Sequence, residues 1–431
     1  MRTPRPRIAA ALALTVAGTA LTGLAATPAQ ARTTTAADRQ INHTHWDTGR
    51  QLREGHFGGI VLSHGKLRIG SPIGTRSYHR HRYEFGRWTS PWTRPGFDFT
   101  ELIPSWEAHT PRGTWVQVDV RAISAAHHRH GSWDTIGRWA SGDKGFHRTT
   151  QGSQRDDVAR VATDTLESNA GGLASWRMRI TLYRPVGTTR SPAVDDAGAV
   201  TSAIPTTRRV ATSRPGVARG IVLDVPRYSQ MIHSGEYPRY GGGGEAWCSP
   251  TSTTMVLAYY DRLPHPSSYS WVDRSYADPV VDQSARMTYD YGYGGTGNWP
   301  FNTAYAAGRT GHAFVTRFAS LRGVERFIAA GIPVVTSITF GRGQLDGAPI
   351  SATDGHLVVV VGFTDSGDVV VDDPAARSDA GVQRVYDRGQ FENAWLPRYP
   401  SGGGMRGSGG LAYVIRDGAH PLPARHGNTN W

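Results

Sequence analysis

One cysteine occurs in 431 residues, and it stands in the stretch Glu245-Ala246-Trp247-Cys248-Ser249-Pro250-Thr251-Ser252. Ser249 is a good helix N-cap, and Pro250 suits a first helical position, where a missing N–H costs nothing. Met255, Val256, Tyr259, Tyr260 and Leu263 then recur at helical spacing. The pattern predicts a helix that begins beside Cys248. Unpaired N–H groups and the positive end of the dipole at such a start favour a thiolate. The chemistry this prepares is nucleophilic attack.

A thiol nucleophile needs a base, and the base needs an orienting group. His356 heads the apolar run Leu357 to Phe363, with Gly355 before it. The turn Asp365-Ser366-Gly367-Asp368 folds the next strand, Val369 to Val371, back antiparallel. With the turn centred there, residues 373 to 375 come opposite His356, in strands about 5 Å apart. Asp372 and Asp373 are therefore the candidate orienters. Only one faces His356, because neighbouring strand residues point to opposite faces.

Each signal has an ordinary reading too. A cysteine at a helix start packs as a buried passenger, Gly-His before valines ends a strand, and Asp-Asp-Pro makes a turn. Together, in the order cysteine, histidine, carboxylate, they favour catalysis. The tracts His79-Arg80-His81-Arg82 and His127-His128-Arg129-His130 lack companion carboxylates at ligand spacing. They read as solvated loops, and no metal or other cofactor is expected.

Around these residues the chain divides. Residues 40–190 read as short strands, with Trp176 to Leu182 alternating strictly and Thr114 to Val120 nearly so. A hairpin is expected at His64-Gly65. This predicts an all-β sandwich or jelly roll. The seven tryptophans between residues 55 and 185 are expected mainly in the core, with Phe85 to Trp92, in a Gly/Pro/Ser-rich loop region, the candidate for exposed rings that stack on sugars. Residues 191–220 lack periodicity and read as a linker. Residues 221–420 read as α+β, with helices after Cys248, from Pro300 to Gly308 and from Ser320 to Gly331, and strands at Val334 to Phe340 and Leu411 to Ile415.

Arg2, Arg5 and Arg7, the apolar run Ile8 to Ala26, and Ala29-Gln30-Ala31 form a secretory signal, 1–31, with cleavage expected near Arg32. The mature protein is then secreted, without a membrane span and with cell-wall association open. The formal charge of +12 falls to about +9 once the three signal arginines are removed. No recognition motif accompanies it, so nucleic acid is not an expected partner, whereas anionic cell-wall polymers suit it. A single cysteine makes no internal disulfide.

Four motifs also resemble a known family. They are Val225-Pro226-Arg227-Tyr228-Ser229-Gln230, Trp247-Cys248-Ser249-Pro250-Thr251-Ser252, Gly355-His356-Leu357-Val358-Val359-Val360-Val361-Gly362 and Val371-Asp372-Asp373-Pro374. In order and spacing they are similar to those of the C-39-like cysteine peptidases, a papain-like group related to double-glycine leader peptidases of bacteriocin exporters. The resemblance covers residues 221–420. It implies Cys248 as nucleophile, His356 as general base, Asp373 as orienting acid and Gln230 as oxyanion-hole donor. One such donor is worth roughly 3–4 kcal/mol in comparable acyl-transfer sites. The chain departs from the pattern in two places. Trp247 and Ser249 replace glycines, which predicts a narrower cleft, and Met231 to Gly244 forms an insertion that reads as a flap or a tolerated loop.

The expected function is a secreted cysteine peptidase that hydrolyses amide bonds of a peptide or protein. The alternative is a non-catalytic cell-wall or glycan-binding protein on a peptidase-like scaffold.

Overall fold

Period-two alternation builds the first half of the chain. Leu173–Pro185 pairs antiparallel with Trp115–Ser124 on one side and His81–Thr89 on the other, at the centre of a six-stranded sheet. A second sheet, of eight strands, centres on Glu101–His109 and Ala193–Ala203. The two close on a tryptophan core. Trp46 of the second sheet meets Trp88 and Trp176 of the first edge-on, with ring centroids 5.5 and 5.8 Å apart. The structure, a computed structural model, describes residues 39–152, 154–155, 158–402 and 404–431. The expected signal, 1–31, lies outside them.

The hairpin at His64-Gly65 forms as predicted. Both residues have positive φ, as a type I′ turn requires, and Ser63 pairs with Lys66 across it. The two histidine tracts also fall at turns. His79 and Arg80 join Gly74–Tyr78 to His81–Thr89, and His127 and His128 follow Trp115–Ser124.

Two expectations fail here. The stretch 191–220, read as a linker, contains Ala193–Ala203, a strand inside the eight-stranded sheet. Its Ala193, Ala197, Gly198 and Ala199 carry no β-branched signal, but small side chains suit a crowded position. A Cβ on Gly198 would come 2.6 Å from the carbonyl oxygen of Thr44. The sandwich therefore runs on to residue 203. Beyond it the chain is strapped to the second half: Ser213 N–H donates to Glu392 (2.6 Å), and the Arg388 guanidinium donates to the Ser213 carbonyl (2.7 Å). The stretch Phe85 to Trp92 is also not a loop. Most of it lies in His81–Thr89, and Trp88 is fully buried, donating to the Leu52 carbonyl at 2.8 Å.

The second half is built on a six-stranded antiparallel sheet with helices on both faces. Leu357, Val359 and Val361 face the helices Cys248–Tyr259 and Trp299–Thr310. Val358 and Val360 face Leu321–Ala329 and Arg388–Trp395. Burial on both faces is the reason this strand reads as an unbroken apolar run. Strands appear at Val334–Phe340 and Leu411–Arg416 as expected. The helices Pro279–Thr288 and Arg388–Trp395 and the strand His312–Arg317 were not legible in the sequence.

The halves share one apolar core. Phe301, on the helix Trp299–Thr310, packs against Trp106 and Trp139 of the sandwich, with centroids 6.2 and 5.4 Å apart. Gly137 makes room for it, since a Cβ there would sit 2.9 Å from the Phe301 ring. Val315 N–H donates to Ser105 Oγ at 2.8 Å. Among the described residues, no helix is long and apolar enough to cross a membrane.

Candidate active site

The helix that carries Cys248 runs Cys248–Tyr259, with Trp247 as its N-cap. It starts earlier than the Ser249 cap predicts, and the Ser249 hydroxyl instead meets the Tyr413 hydroxyl at 3.0 Å. Pro250 still falls in the first turn, where N–H groups have no intrahelical partner. Ser252 Oγ donates to the Leu357 carbonyl at 3.0 Å, so the helix start is held against the strand that carries His356. No local signal in the sequence marks that long-range contact.

Cys248 and His356 are hydrogen-bonded, and His356 Nε2 lies 2.7 Å from Asp373 Oδ1. Burial alone would push the thiol up. The His356 hydrogen bond and charge, aided by the backbone N–H groups of Leu357 and Ser249, hold it below its ordinary value. For His356, burial disfavours the imidazolium, but Asp373 and the thiol outweigh it and push the ring up to about 10. The two shifts describe one pair, thiolate beside imidazolium.

Asp373 is itself held. Burial would raise it, yet His356, the Tyr386 hydroxyl and the Ala375 N–H keep it below the usual carboxylate range. Tyr386 donates to Oδ2 at 2.8 Å, and Ala375 N–H to Oδ1 at 3.0 Å. Asp372 is buried away from the ring. Among the described residues its carboxylate has only a long contact from Gln383, 3.4 Å, and burial pushes it up to about 7. Between the two candidate orienters, the geometry selects Asp373.

Gln230 is buried beside them. Its backbone N–H donates to the Pro374 carbonyl at 2.8 Å, which ties it to the Asp373 turn. Its side-chain Nε2 donates to the Glu245 carbonyl at 2.8 Å, leaving its second N–H for another acceptor. The insertion Met231 to Gly244 is packed down rather than open, with His233 wholly buried.

Gln230, Cys248 and His356 line a cleft of about 740 Å³. Trp247 and Ser249 do not line it, which corrects the expected narrowing. Trp247 turns inward, where its indole donates to the Tyr240 carbonyl at 2.6 Å. The opposite wall comes from the sandwich, through Thr163, Asp164, Thr165, Glu101 and Glu167. Asp164 accepts from the Trp299 N–H at 2.8 Å, and burial pushes it up to about 7. Glu101 pairs with Arg317 at 2.5 Å and also with Arg398, closing a buried ion cluster across the two halves. Sequence reasoning missed this wall and Tyr386. No local motif marks either, because both depend on contacts between distant segments.

Fold and site together define a chain that sets a helix-start cysteine against a histidine–carboxylate pair, behind an all-β domain. Residues 222–402 match the Peptidase_C39 like family, and residues 42–202 match the Peptidase C39 N-terminal domain. The chain is a C39-like family protein. No curated protein matches it. Among solved structures, it is similar to TmCBM61 in complex with β-1,4-galactotriose, at 7% identity, covering 38% of this chain and 89% of that one, with a TM-score of 0.18. The CBM22-1–GH10 modules of Clostridium thermocellum xylanase 10B match at 13% identity, 44% and 30% coverage, and a TM-score of 0.17. These scores are too low for a shared fold to follow.

Proposed function

We propose that this protein is a cysteine peptidase with a papain-like arrangement, in which Cys248, His356 and Asp373 hydrolyse amide bonds through a thioester. The observation that carries the reading is the hydrogen-bonded line Cys248–His356–Asp373 opening on the shared cleft. Cys248 Sγ, as thiolate, attacks the amide carbonyl carbon. The displaced electron pair moves to oxygen, where Gln230 Nε2–H and the Cys248 N–H hold it. Collapse breaks the C–N bond, and the leaving amine takes the proton from His356. Water then gives a proton to His356 and attacks the thioester, releasing the acid and restoring thiolate and imidazolium. Asp373 keeps the ring oriented throughout.

The substrate is a peptide or protein chain that fits between the halves, in the cleft walled on the sandwich side by Thr163, Asp164 and Thr165. Arg2, Arg5 and Arg7, the apolar run and Ala29-Gln30-Ala31 support export with cleavage near Arg32, which N-terminal sequencing of the secreted chain tests.

Alkylation of Cys248 by iodoacetamide across pH tests the reading. Fast labelling at pH 6 that slows in His356→Ala, with peptide hydrolysis lost in Cys248→Ala, is the expected result. Hydrolysis that persists in Cys248→Ala sinks it.

A second reading, a glycan-binding protein with a non-catalytic scaffold, draws on half-buried Trp92 and Trp133, whose rings lie 4.6 and 5.0 Å from the Arg177 guanidinium. Slow alkylation together with retention on cell-wall polymer favours it.

A further inference from the structure

The insertion Met231 to Gly244 carries a second cluster of ligand-type groups that the proposed reaction does not use. His233, Glu236 and the helix residue Asp282 bring one donor atom each to a common point in the interior. His233 and Asp282 are wholly buried, and Glu236 is nearly so. His233 Nδ1 lies 2.8 Å from Glu236 Oε2 and 3.3 Å from Asp282 Oδ2.

A protonated histidine between two carboxylates does not complete this arrangement. One N–H satisfies one acceptor well, and here it is Glu236. Both carboxylate oxygens of Asp282 then lack any hydrogen-bond donor among the described residues, although the side chain is shielded from water. A buried carboxylate without donors is a costly arrangement, and the cluster sets two acidic groups beside a single imidazole.

A cation resolves both problems. Two ligands at about 2.0–2.2 Å from one ion, subtending about 90–110°, stand roughly 2.8–3.6 Å apart. The two distances from His233 Nδ1 fall in that range. We propose that His233, Glu236 and Asp282 form a structural site for a divalent transition-metal ion, with Zn2+ the candidate to test. Imidazole with two carboxylates suits such an ion better than Mg2+ or Ca2+, which favour all-oxygen shells. The second oxygen of Asp282 or water completes the coordination.

The site's place in the fold gives the ion a use. His233 N–H donates to the Gln230 carbonyl at 3.2 Å, and the His233 ring lies 6.1 Å from that of Trp247. The ion staples the insertion to the helix Pro279–Thr288, and so steadies both Gln230 and the start of the Cys248 helix. A chain with one cysteine has no disulfide available for that purpose.

The test uses the tag-free mature chain with Cys248→Ala, because a free thiol beside His356 binds Zn2+ on its own. After equilibration with Zn2+ and desalting, elemental analysis is expected to find about one ion per chain, and removal by chelator to lower Tm by several degrees. Adding Asp282→Asn, or Glu236→Gln nearer the surface, is expected to abolish retention while circular dichroism stays unchanged. No retained ion in the Cys248→Ala chain overturns the proposal. So does full retention in both ligand variants. Neither result bears on the peptidase reading, whose nucleophile is already absent.

Discussion

Asp373 lies one residue past the end of its strand, and from there its carboxylate reaches His356 Nε2 at 2.7 Å. Strand register pairs Asp372 with Val359, so Asp373 meets the imidazole on a diagonal rather than squarely across the ladder. A bulge near Gly362 sets that offset. The neighbouring Asp372 consequently points away from the ring.

Asp373→Asn and Asp372→Asn should therefore behave in opposite ways. The first removes the charge that holds His356 and is expected to lower kcat by about 10²-fold or more. The second leaves hydrolysis within about twofold of wild type and, at pH 8, stabilises the fold by on the order of 1–3 kcal/mol. The sign follows from burial, which pushes Asp372 up to about 7 and so disfavours its ionised form. Steady-state kinetics and denaturant unfolding separate the two outcomes.

The pH dependence of the pair has a definite direction. His356 is raised to about 10, so its contribution to stability is full below about pH 6.5 and is lost as pH rises through about 10. Asp373 is lowered, so its contribution is present above about pH 4 and is lost as pH falls through its folded value. The Tm difference between the native chain and His356→Ala is expected to be largest between about pH 4 and 6.5. A difference that grows toward pH 10 contradicts the pairing.

Tyr386→Phe removes one donor from Asp373 Oδ2 and leaves the ring packed. Leaving that buried oxygen unpartnered costs about 1–3 kcal/mol of stability. The acid limb of the pH–rate profile should shift upward as Asp373 becomes easier to protonate, a change that simple loss of packing does not produce.

Gln230→Ala should cost about 10²–10³ in kcat through loss of an oxyanion donor. Alkylation of Cys248 by iodoacetamide generates no oxyanion, so its rate should stay within about twofold. Parallel loss of both activities instead assigns Gln230 a purely structural role.

Phe301→Ala empties the pocket between Trp106 and Trp139 and is expected to cost about 3–5 kcal/mol. Because the halves share a core, far-UV and tryptophan signals should fall together in one transition, as calorimetry and fluorescence can check. Two separated transitions contradict the shared core.

Much of this was legible locally. The type I′ turn at His64-Gly65, the alternation around Trp176 and the valine run after His356 each follow from a short-range rule. The strand Ala193–Ala203 escaped notice because its small residues mimic a linker, while the helix Arg388–Trp395 lacked a clear apolar stripe. The cleft wall at Asp164 and Glu101 was invisible for a different reason: its value depends on the second half closing against it.

The chain's sequence alone determined the order cysteine, histidine, aspartate, a helix start beside Cys248 and the hairpin that returns toward His356, since each rests on neighbours within a few residues. Tertiary structure decided which aspartate faces the ring, what steadies it, and that the sandwich supplies one wall of the cleft. It also gathered His233, Glu236 and Asp282 into one buried point. Hydrogen bonds and burial act over a few ångströms, and only packing brings residues dozens of positions apart within that reach.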